Sequence, residues 1–132
     1  MSRRVLIADD EPLTAEMLAL MLTFRGYDVI CAHDGREALR QAHQQHPDVI
    51  LMDVLMPGMD GDEVTRTLRA EWEECPPVVL FSSEDETDVD WQEAGADVFL
   101  QKPIDLMKLP DLLDSLLDEP PPTGEGRSVR VA

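Results

Sequence analysis

Short apolar runs alternate with stretches of helical periodicity along the 132 residues of the chain. The runs cover residues 4–8, 27–32, 49–52, 77–81 and 97–101, and turn-forming or charged residues bound each of them. Runs of this kind predict strands that are buried on both faces. Because a predicted helix follows every strand, the pattern indicates a doubly wound α/β fold with a parallel sheet, right-handed crossovers and helices on both faces.

The helix boundaries follow from capping and turn residues. Pro12 suits the first position of the first helix, and Gly26 suits its end. The apolar residues of this helix recur at helical spacing: Leu13, Met17, Leu20, Met21 and Phe24. Asp34 and Asp60 each begin a capping-box pattern, which predicts a second helix over residues 35–45 and a third with Val64, Leu68 and Trp72 as its buried stripe.

The last two helices are predicted from weaker signals. A short acidic helix, capped near Ser83, is expected to end at Ala94 before Gly95. Pro110 delays the start of the final helix beyond Asp105. The buried stripe of that helix is strongly apolar, with Leu109, Leu112, Leu113, Leu116 and Leu117. Residues 1–118 therefore form one predicted domain, and residues 119–132 have the Pro/Gly-rich composition of a poorly ordered tail or linker.

Composition narrows the classes of function. Hydrophobic residues make up 43% of the chain, as in a globular domain with a real core. The net charge of −17 argues against binding to nucleic acid or insertion at an anionic membrane, and it fits a bound cation or a basic partner surface. The sequence shows neither a spanning segment nor a signal peptide. Cys31 and Cys75 lack the spacing of metal ligands, so we interpret them as reduced, unreactive thiols. We therefore expect a cytoplasmic protein.

Polar residues follow four of the predicted strands. Asp9 and Asp10 follow the first, Asp53 the third, Ser82 the fourth and Lys102 the fifth. A sheet of order 2-1-3-4-5 would place the first and third strands side by side, and would bring their carboxylates together. Two carboxylates about 4 Å apart repel by about 4 kcal/mol at an effective dielectric constant near 20. A hard divalent cation offsets this repulsion, and oxygen ligands favour Mg²⁺.

The same residues suggest phosphoryl chemistry. Asp53 is a plausible nucleophile toward phosphorus, and Mg²⁺ and the Lys102 ammonium could neutralise the incoming group while the Ser82 hydroxyl donates a hydrogen bond. Each residue alone has a structural explanation: Asp9 and Asp10 as helix caps, Lys102 as a solvated side chain, Ser82 as a turn residue. Their placement at one edge of one sheet favours the functional interpretation.

Together, these strand-end residues and their flanking motifs resemble the response-regulator receiver domain of two-component signalling. The resemblance spans residues 5–117, and its landmarks are Asp9-Asp10, the block from Asp53 to Gly61, Ser82, Ala94-Gly95-Ala96 and Lys102-Pro103. It implies a flavodoxin-like (βα)5 three-layer sandwich with sheet order 2-1-3-4-5. It also implies a cis peptide between Lys102 and Pro103.

The resemblance further implies a role for each site residue. Asp53 would be phosphorylated by a histidine kinase or a histidine phosphotransfer protein. Asp10, Asp53 and the backbone carbonyl of Leu55 would bind Mg²⁺ directly, with Asp9 acting mostly through water. Lys102 would hold the phosphoryl group. No catalytic activity is expected beyond self-catalysed phosphorylation and dephosphorylation.

Ser82 and Phe99 occupy the two switch positions of the family. Phosphorylation would draw in the Ser82 hydroxyl, shift the following loop and turn the aromatic ring inward. The fourth helix, fifth strand and fifth helix would then signal to a downstream protein partner, with the chain a monomer or weak dimer. Three departures affect this surface: a shortened segment between Ser82 and Lys102, Pro110 in the last helix, and the lack of evident charged residues for dimerisation.

Four interpretations remain open at the level of sequence. The chain is a stand-alone receiver, a receiver fragment of a longer regulator, a Mg²⁺-dependent aspartyl phosphohydrolase, or a receiver that binds partners without phosphorylation. Hydrolases of the haloacid dehalogenase type need a second Asp two residues after the nucleophile, where this chain has Leu55. The complete set of site residues argues against the last interpretation.

Overall fold

The computed structural model describes residues 3–118 and 129–131. Its strands are β1 (Arg4–Ala8), β2 (Asp28–Ala32), β3 (Val49–Asp53), β4 (Val78–Ser82), β5 (Val98–Gln101) and β6 (Val129–Val131). Its helices are α1 (Pro12–Phe24), α2 (Gly35–Gln45), α3 (Gly61–Glu71), α4 (Trp91–Ala94) and α5 (Leu109–Asp118), with a 3₁₀ helix (Glu86–Asp88) before α4. No helix in this part of the chain combines the length and apolarity needed to cross a bilayer.

All strands of the sheet are parallel, in the order β2-β1-β3-β4-β5-β6. The first five confirm the predicted order 2-1-3-4-5 and the flavodoxin-like architecture. The sixth strand was not predicted: Val129–Val131 pairs with β5, with Val129 beside Val98 and Val131 beside Leu100. Three residues are too few to show a strand period. The rest of the predicted tail, residues 119–128 and 132, lies outside the described residues.

The sheet separates two apolar layers. One face packs against α2, α3 and α4, and its buried residues include Leu6, Ile50, Met52, Val64, Leu68, Leu80, Trp91 and Phe99. The other face packs against α1 and α5, and its buried residues include Val5, Ile7, Leu18, Leu22, Leu51, Phe81, Leu109 and Leu113. The central strands β3 and β4 are buried along their whole length, as predicted from their continuous apolar runs.

Helix α1 does not bury the stripe that its longest apolar side chains suggest. Its buried residues are Ala15, Leu18 and Leu22, whereas most of the spaced apolar positions face outward: Leu13, Met17, Leu20 and Phe24. The helix is apolar around most of its circumference, so periodicity alone does not choose the face.

The segment before β5 also differs from the prediction. In place of one continuous helix, the chain forms the 3₁₀ helix and then a single turn, α4. The predicted end is confirmed, since α4 ends at Ala94 and Gly95 caps it in the left-handed conformation. Asp60 makes no side-chain hydrogen bond to cap α3, and Trp72 terminates that helix and is only partly buried. The start of α5 at Leu109 confirms the effect expected of Pro110.

Candidate functional site

The register of β1 and β3 brings the first carboxylates together. Ala8 pairs with Met52, so the next residues of the two strands, Asp9 and Asp53, lie side by side at the carboxyl edge of the sheet. Both side chains are buried, and Asp10, one residue further, is exposed. One carboxylate oxygen from each of the three lies within 4.8 Å of the other two.

Asp9 shows that this cluster is short of positive charge. Its Oδ1 accepts a hydrogen bond from the backbone N–H of Glu11 at 2.9 Å, but its Oδ2 is buried without a hydrogen-bond donor. Burial, together with the nearby Asp53, raises the pKa of Asp9 from 3.8 to about 6. A buried oxygen without a donor, next to two further carboxylates, fits the oxygen-ligand set that Mg²⁺ requires.

Lys102 supplies the one ammonium group that contacts these carboxylates among the described residues. Its Nζ lies 3.0 Å from Asp53 Oδ2 and 3.7 Å from Asp9 Oδ2. Burial by itself lowers the pKa of Lys102, but the hydrogen bond to Asp53 and the attraction of the surrounding carboxylates raise it overall. The backbone N–H of Lys102 donates to the carbonyl of Ser82 at 2.8 Å, and the Lys102–Pro103 peptide is cis, as the resemblance implies.

The loop after β3 is held closely against the strand end. The backbone N–H of Leu55 donates to Asp53 Oδ1 at 3.2 Å, and that of Gly61 donates to the carbonyl of Val54 at 2.7 Å. A Cβ atom at Gly61 would lie 2.3 Å from the Asp53 carbonyl oxygen. The glycine that begins α3 is therefore required for this close approach, which fixes the loop that carries Leu55.

Ser82 lies at the same edge, at the end of β4 beside β3. It is fully buried, and its Oγ accepts a hydrogen bond from the backbone N–H of Glu84 at 3.0 Å. Phe99 lies on β5 next to Leu80 and is 2% exposed. Its ring stacks on Trp91 at a centroid distance of 6.0 Å. The aromatic ring therefore lies inside the protein.

Two neighbours of the site did not emerge from the sequence. The Glu11 carboxylate lies 3.7 Å from Lys102 Nζ, and the same ammonium lies 5.3 Å from the centroid of the Phe81 ring. Glu11 directly follows Asp9 and Asp10 in the sequence, and this adjacency could have predicted that it lies near the site. Phe81 is one apolar residue in a buried strand, and nothing in its pattern marks it as a neighbour of Lys102.

A family model and the solved structures that resemble this chain both point to response regulators. A model of the response regulator receiver domain matches residues 5–114. The chain is 31% identical to the chemotaxis response regulator CheY4 of Vibrio cholerae, with 89% of this chain and 100% of that chain covered and a TM-score of 0.80.

Two further solved structures are similarly close. The receiver domain of Francisella response regulator 1452 shares 30% identity over 89% of this chain and 98% of that chain, with a TM-score of 0.83. The signal receiver domain of a signal transduction histidine kinase from Syntrophus aciditrophicus shares 34% identity over 94% of this chain and 100% of that chain, with a TM-score of 0.80.

Proposed function

Because the chain belongs to the response regulator receiver domain family, we propose that it accepts a phosphoryl group on Asp53 from a phosphohistidine of a histidine kinase or histidine phosphotransfer protein. The observation that carries the proposal is the contact between Lys102 Nζ and Asp53 Oδ2, at 3.0 Å, inside a cluster of three carboxylates. A nucleophile, a phosphate-binding ammonium and a set of oxygen ligands for a cation meet at one point.

In the proposed transfer, an oxygen of the Asp53 carboxylate attacks phosphorus. The bond between phosphorus and the imidazole nitrogen breaks, its electron pair stays with the imidazole, and the product is an acyl phosphate on Asp53. Lys102 moves from the free carboxylate to the phosphoryl oxygens and neutralises part of their charge. Attack of water on the acyl phosphate returns the carboxylate and inorganic phosphate, so the chain is a self-catalysing phosphoacceptor and not an enzyme with a separate substrate.

Mg²⁺ is the proposed cofactor. Asp10, Asp53 and the backbone carbonyl of Leu55 would hold it directly, with Asp9 acting mostly through water. The buried Asp9 Oδ2, which has no hydrogen-bond donor, supports a cation at this place. The bound ion supplies positive charge next to the phosphoryl oxygens, which three carboxylates would otherwise repel.

Ser82 and the loop after β4 form the proposed switch. If the Ser82 hydroxyl turns to donate to the phosphoryl group, the hydrogen bond from the Glu84 N–H to its Oγ is altered, and the loop that leads to α4 is released. Phe99 is already buried against Trp91, so we propose that the Trp91–Phe99 packing readjusts, in place of a swing of the ring from solvent to interior. One covalent charge then biases a two-state element.

The output surface would be formed by α4, β5 and α5, and its reader would be a protein. The acidic chain suits neither nucleic acid nor membrane insertion, and a cytoplasmic location agrees with a soluble phosphodonor or the cytoplasmic part of a kinase. The short α4 and the strand β6, which pairs with β5, make this surface different from the one that the resemblance implies.

The central test is phosphorylation by acetyl phosphate with Mg²⁺. We expect the chain to gain one phosphoryl group, labile to hydroxylamine, as measured by intact mass, and to gain none after chelation of the metal. Asp53→Asn keeps the size of the side chain and removes the nucleophile, so it should gain none. Equal incorporation in Asp53→Asn, or none in the unmodified chain, would contradict the proposal.

Trp91 provides a measurement of the switch, because its ring stacks on Phe99. In a Trp72→Phe background, we expect phosphorylation to change the fluorescence of Trp91. Ser82→Ala should accept phosphate but lose most of this change, since no hydroxyl links the phosphoryl group to the loop. Ser83→Ala, at the exposed next residue, is the matched control and should keep the change. A full response in Ser82→Ala, at equal phosphate occupancy, would exclude this route.

A further inference from the structure

The strand β6 lies on an edge of the sheet that would otherwise be open. Val129–Val131 pairs in parallel with residues 98–100 of β5. Without β6, β5 would be the edge strand among the described strands, because the sheet order is β2-β1-β3-β4-β5-β6. The backbone N–H and C=O groups of an edge strand are a template for pairing with a further strand. The edge of β5 is therefore a surface that accepts a strand, and its occupant here is a later segment of the same chain.

The pairing of β6 is short and one-sided. The strand has three residues, whereas β1 to β4 have five each and β5 has four. Its one neighbour in the sheet is β5, and residues 119–128 separate it from α5. Holding β6 in place costs the conformational entropy of its residues and of closing the loop before it, and a three-residue ladder returns few hydrogen bonds. We therefore expect β6 to detach far more readily than the domain unfolds.

The position of β6 connects it to the proposed switch. In the sheet, Phe99 lies beside Leu80 of β4 on one side and beside Arg130 of β6 on the other. The Phe99 ring stacks on Trp91 of α4 at a centroid distance of 6.0 Å. A readjustment of the Trp91–Phe99 packing therefore reaches the strand with which β6 pairs. The ladder with β6 is the shorter of the two that β5 makes, so a shift of β5 loosens β6 first.

Charge favours a basic segment at this edge. Residues 84–93, between β4 and β5, include no basic residue and are strongly acidic, with Glu84, Asp85, Glu86, Asp88, Asp90 and Glu93. The 3₁₀ helix within this acidic segment contacts β5. Residues 126–132, by contrast, contain Arg127 and Arg130 and no acidic side chain. In a chain with a net charge of −17, the segment that pairs with β5 is thus of the sign that the acidic segment attracts.

We propose that β6 is a detachable cover on the edge of β5, and that an extended, basic segment of a protein partner pairs with β5 in its place when phosphorylation loosens it. This inference rests on the proposed function, since it assigns the output to the edge of β5. A partner segment would add a strand through backbone hydrogen bonds, and residues 84–93 would attract its basic side chains. A short linker holds β6 at an effective concentration of about 1 mM, so β6 competes with the partner until it is loosened.

Hydrogen exchange, measured by NMR on the full chain, tests whether β6 is a detachable cover. The β6 amides that pair with β5 should exchange between about tenfold and about a thousandfold more slowly than in an unfolded peptide. Weaker protection would mean that β6 is not paired, and stronger protection would mean that it is a permanent strand; either result overturns the proposal. Replacing Val129, Arg130 and Val131 together with Pro should speed exchange at the β5 amides that face β6 at least about fivefold. The control Val129→Ile with Val131→Ile keeps strand propensity and should keep the protection.

Phosphorylation tests the release of β6. Treatment with acetyl phosphate and Mg²⁺, with occupancy followed by intact mass, should lower the protection of the β6 amides at least about threefold. Asp53→Asn, treated in the same way, should show no change. Unchanged or increased protection in a phosphorylated chain overturns the release. A chain that gains no phosphoryl group contradicts the proposed function instead, and exchange in the untreated chain then still decides whether β6 is a detachable cover.

A peptide with the sequence of residues 126–132 serves as the partner segment. It should bind the triple proline variant with a dissociation constant of about 1–100 μM, which follows from the expected protection at an effective concentration of about 1 mM. The unmodified chain should bind it at least about tenfold more weakly, because β6 occupies the edge. A dissociation constant above about 1 mM for the triple variant, or equal affinity for both chains, overturns the proposal. A peptide carrying Arg127→Glu and Arg130→Glu should bind at least about tenfold more weakly, and equal binding of this peptide overturns the assignment of a basic partner.

Discussion

Replacing Lys102 with methionine is expected to slow the phosphorylation of Asp53 by acetyl phosphate by about 10²–10³-fold, the usual cost of removing one charge-stabilising donor. The ammonium of Lys102 is the positive side-chain group in contact with Asp53, at 3.0 Å, and it is also 3.7 Å from Asp9. Methionine keeps an unbranched side chain of similar length, so the loss should reflect charge and hydrogen bonding more than volume.

The same substitution should tighten the binding of Mg²⁺. In the unmodified chain the cation and the ammonium both attract the carboxylates, and their positive charges repel each other. Removing the ammonium leaves Asp9 and Asp53 with less compensation, so the chain should unfold more readily without Mg²⁺ and recover when it is added. A slower reaction combined with a lower Mg²⁺ dissociation constant would distinguish loss of a phosphate contact from loss of the metal.

Lys108 provides the control for this experiment. It is the other lysine of the chain, it is exposed, and it lies directly before the first residue of α5. Lys108→Met should leave both the phosphorylation rate and the Mg²⁺ dissociation constant within about twofold of the unmodified chain. If Lys102→Met phosphorylates at a normal rate, Lys102 does not stabilise the transferring phosphoryl group, whatever its position.

The residues at the strand ends were predictable from the sequence for a topological reason. In a parallel sheet the carboxyl ends of all strands share one edge, so Asp9, Asp53, Ser82 and Lys102 needed only the strand order to be placed near each other. The apolar runs before them are continuous, which sets where each strand ends to within one residue. Local contacts such as the Leu55 N–H to Asp53 follow from the loop path and were not predictable.

The errors occur where several side chains can satisfy the same local pattern. In α1, apolar residues cover both sides of the helix, and only the sheet decides that Ala15, Leu18 and Leu22 are buried. In the segment before α4, acidic residues supply alternative caps, and Asp85 caps a 3₁₀ turn by accepting from the Thr87 N–H at 3.1 Å. Tertiary packing decides between such alternatives, and the residue spacing within one segment does not predict that packing.

Asp9→Asn is expected to stabilise the metal-free chain by about 1–3 kcal/mol at pH 7. In the folded protein, burial raises the pKa of Asp9 from 3.8 to about 6. The folded state therefore binds a proton more tightly than the unfolded state does, and the charged form of Asp9 opposes folding. Asparagine keeps the shape of the side chain and carries no charge, which removes that opposition.

The upward direction of the Asp9 pKa shift determines how stability depends on pH. Between about pH 4 and pH 6 the folded chain holds more protons at Asp9 than the unfolded chain, so the contribution of Asp9 to stability falls as pH rises through this range. The difference in unfolding free energy between Asp9→Asn and the unmodified chain should be small below pH 4 and reach its full value near pH 7. Urea unfolding at a series of pH values in the presence of a chelator measures it.

Asp10→Asn and Mg²⁺ complete this prediction. Asp10 is exposed and its charge is solvated, so its substitution should change metal-free stability by less than that of Asp9. Saturating Mg²⁺ should stabilise the unmodified chain, because the ion binds only the folded carboxylate cluster, and should stabilise either Asn variant less. Destabilisation of the metal-free chain by Asp9→Asn at pH 7 would contradict the prediction. It would mean that Lys102, at 3.7 Å, compensates the charge of Asp9 even though Asp9 Oδ2 has no hydrogen-bond donor.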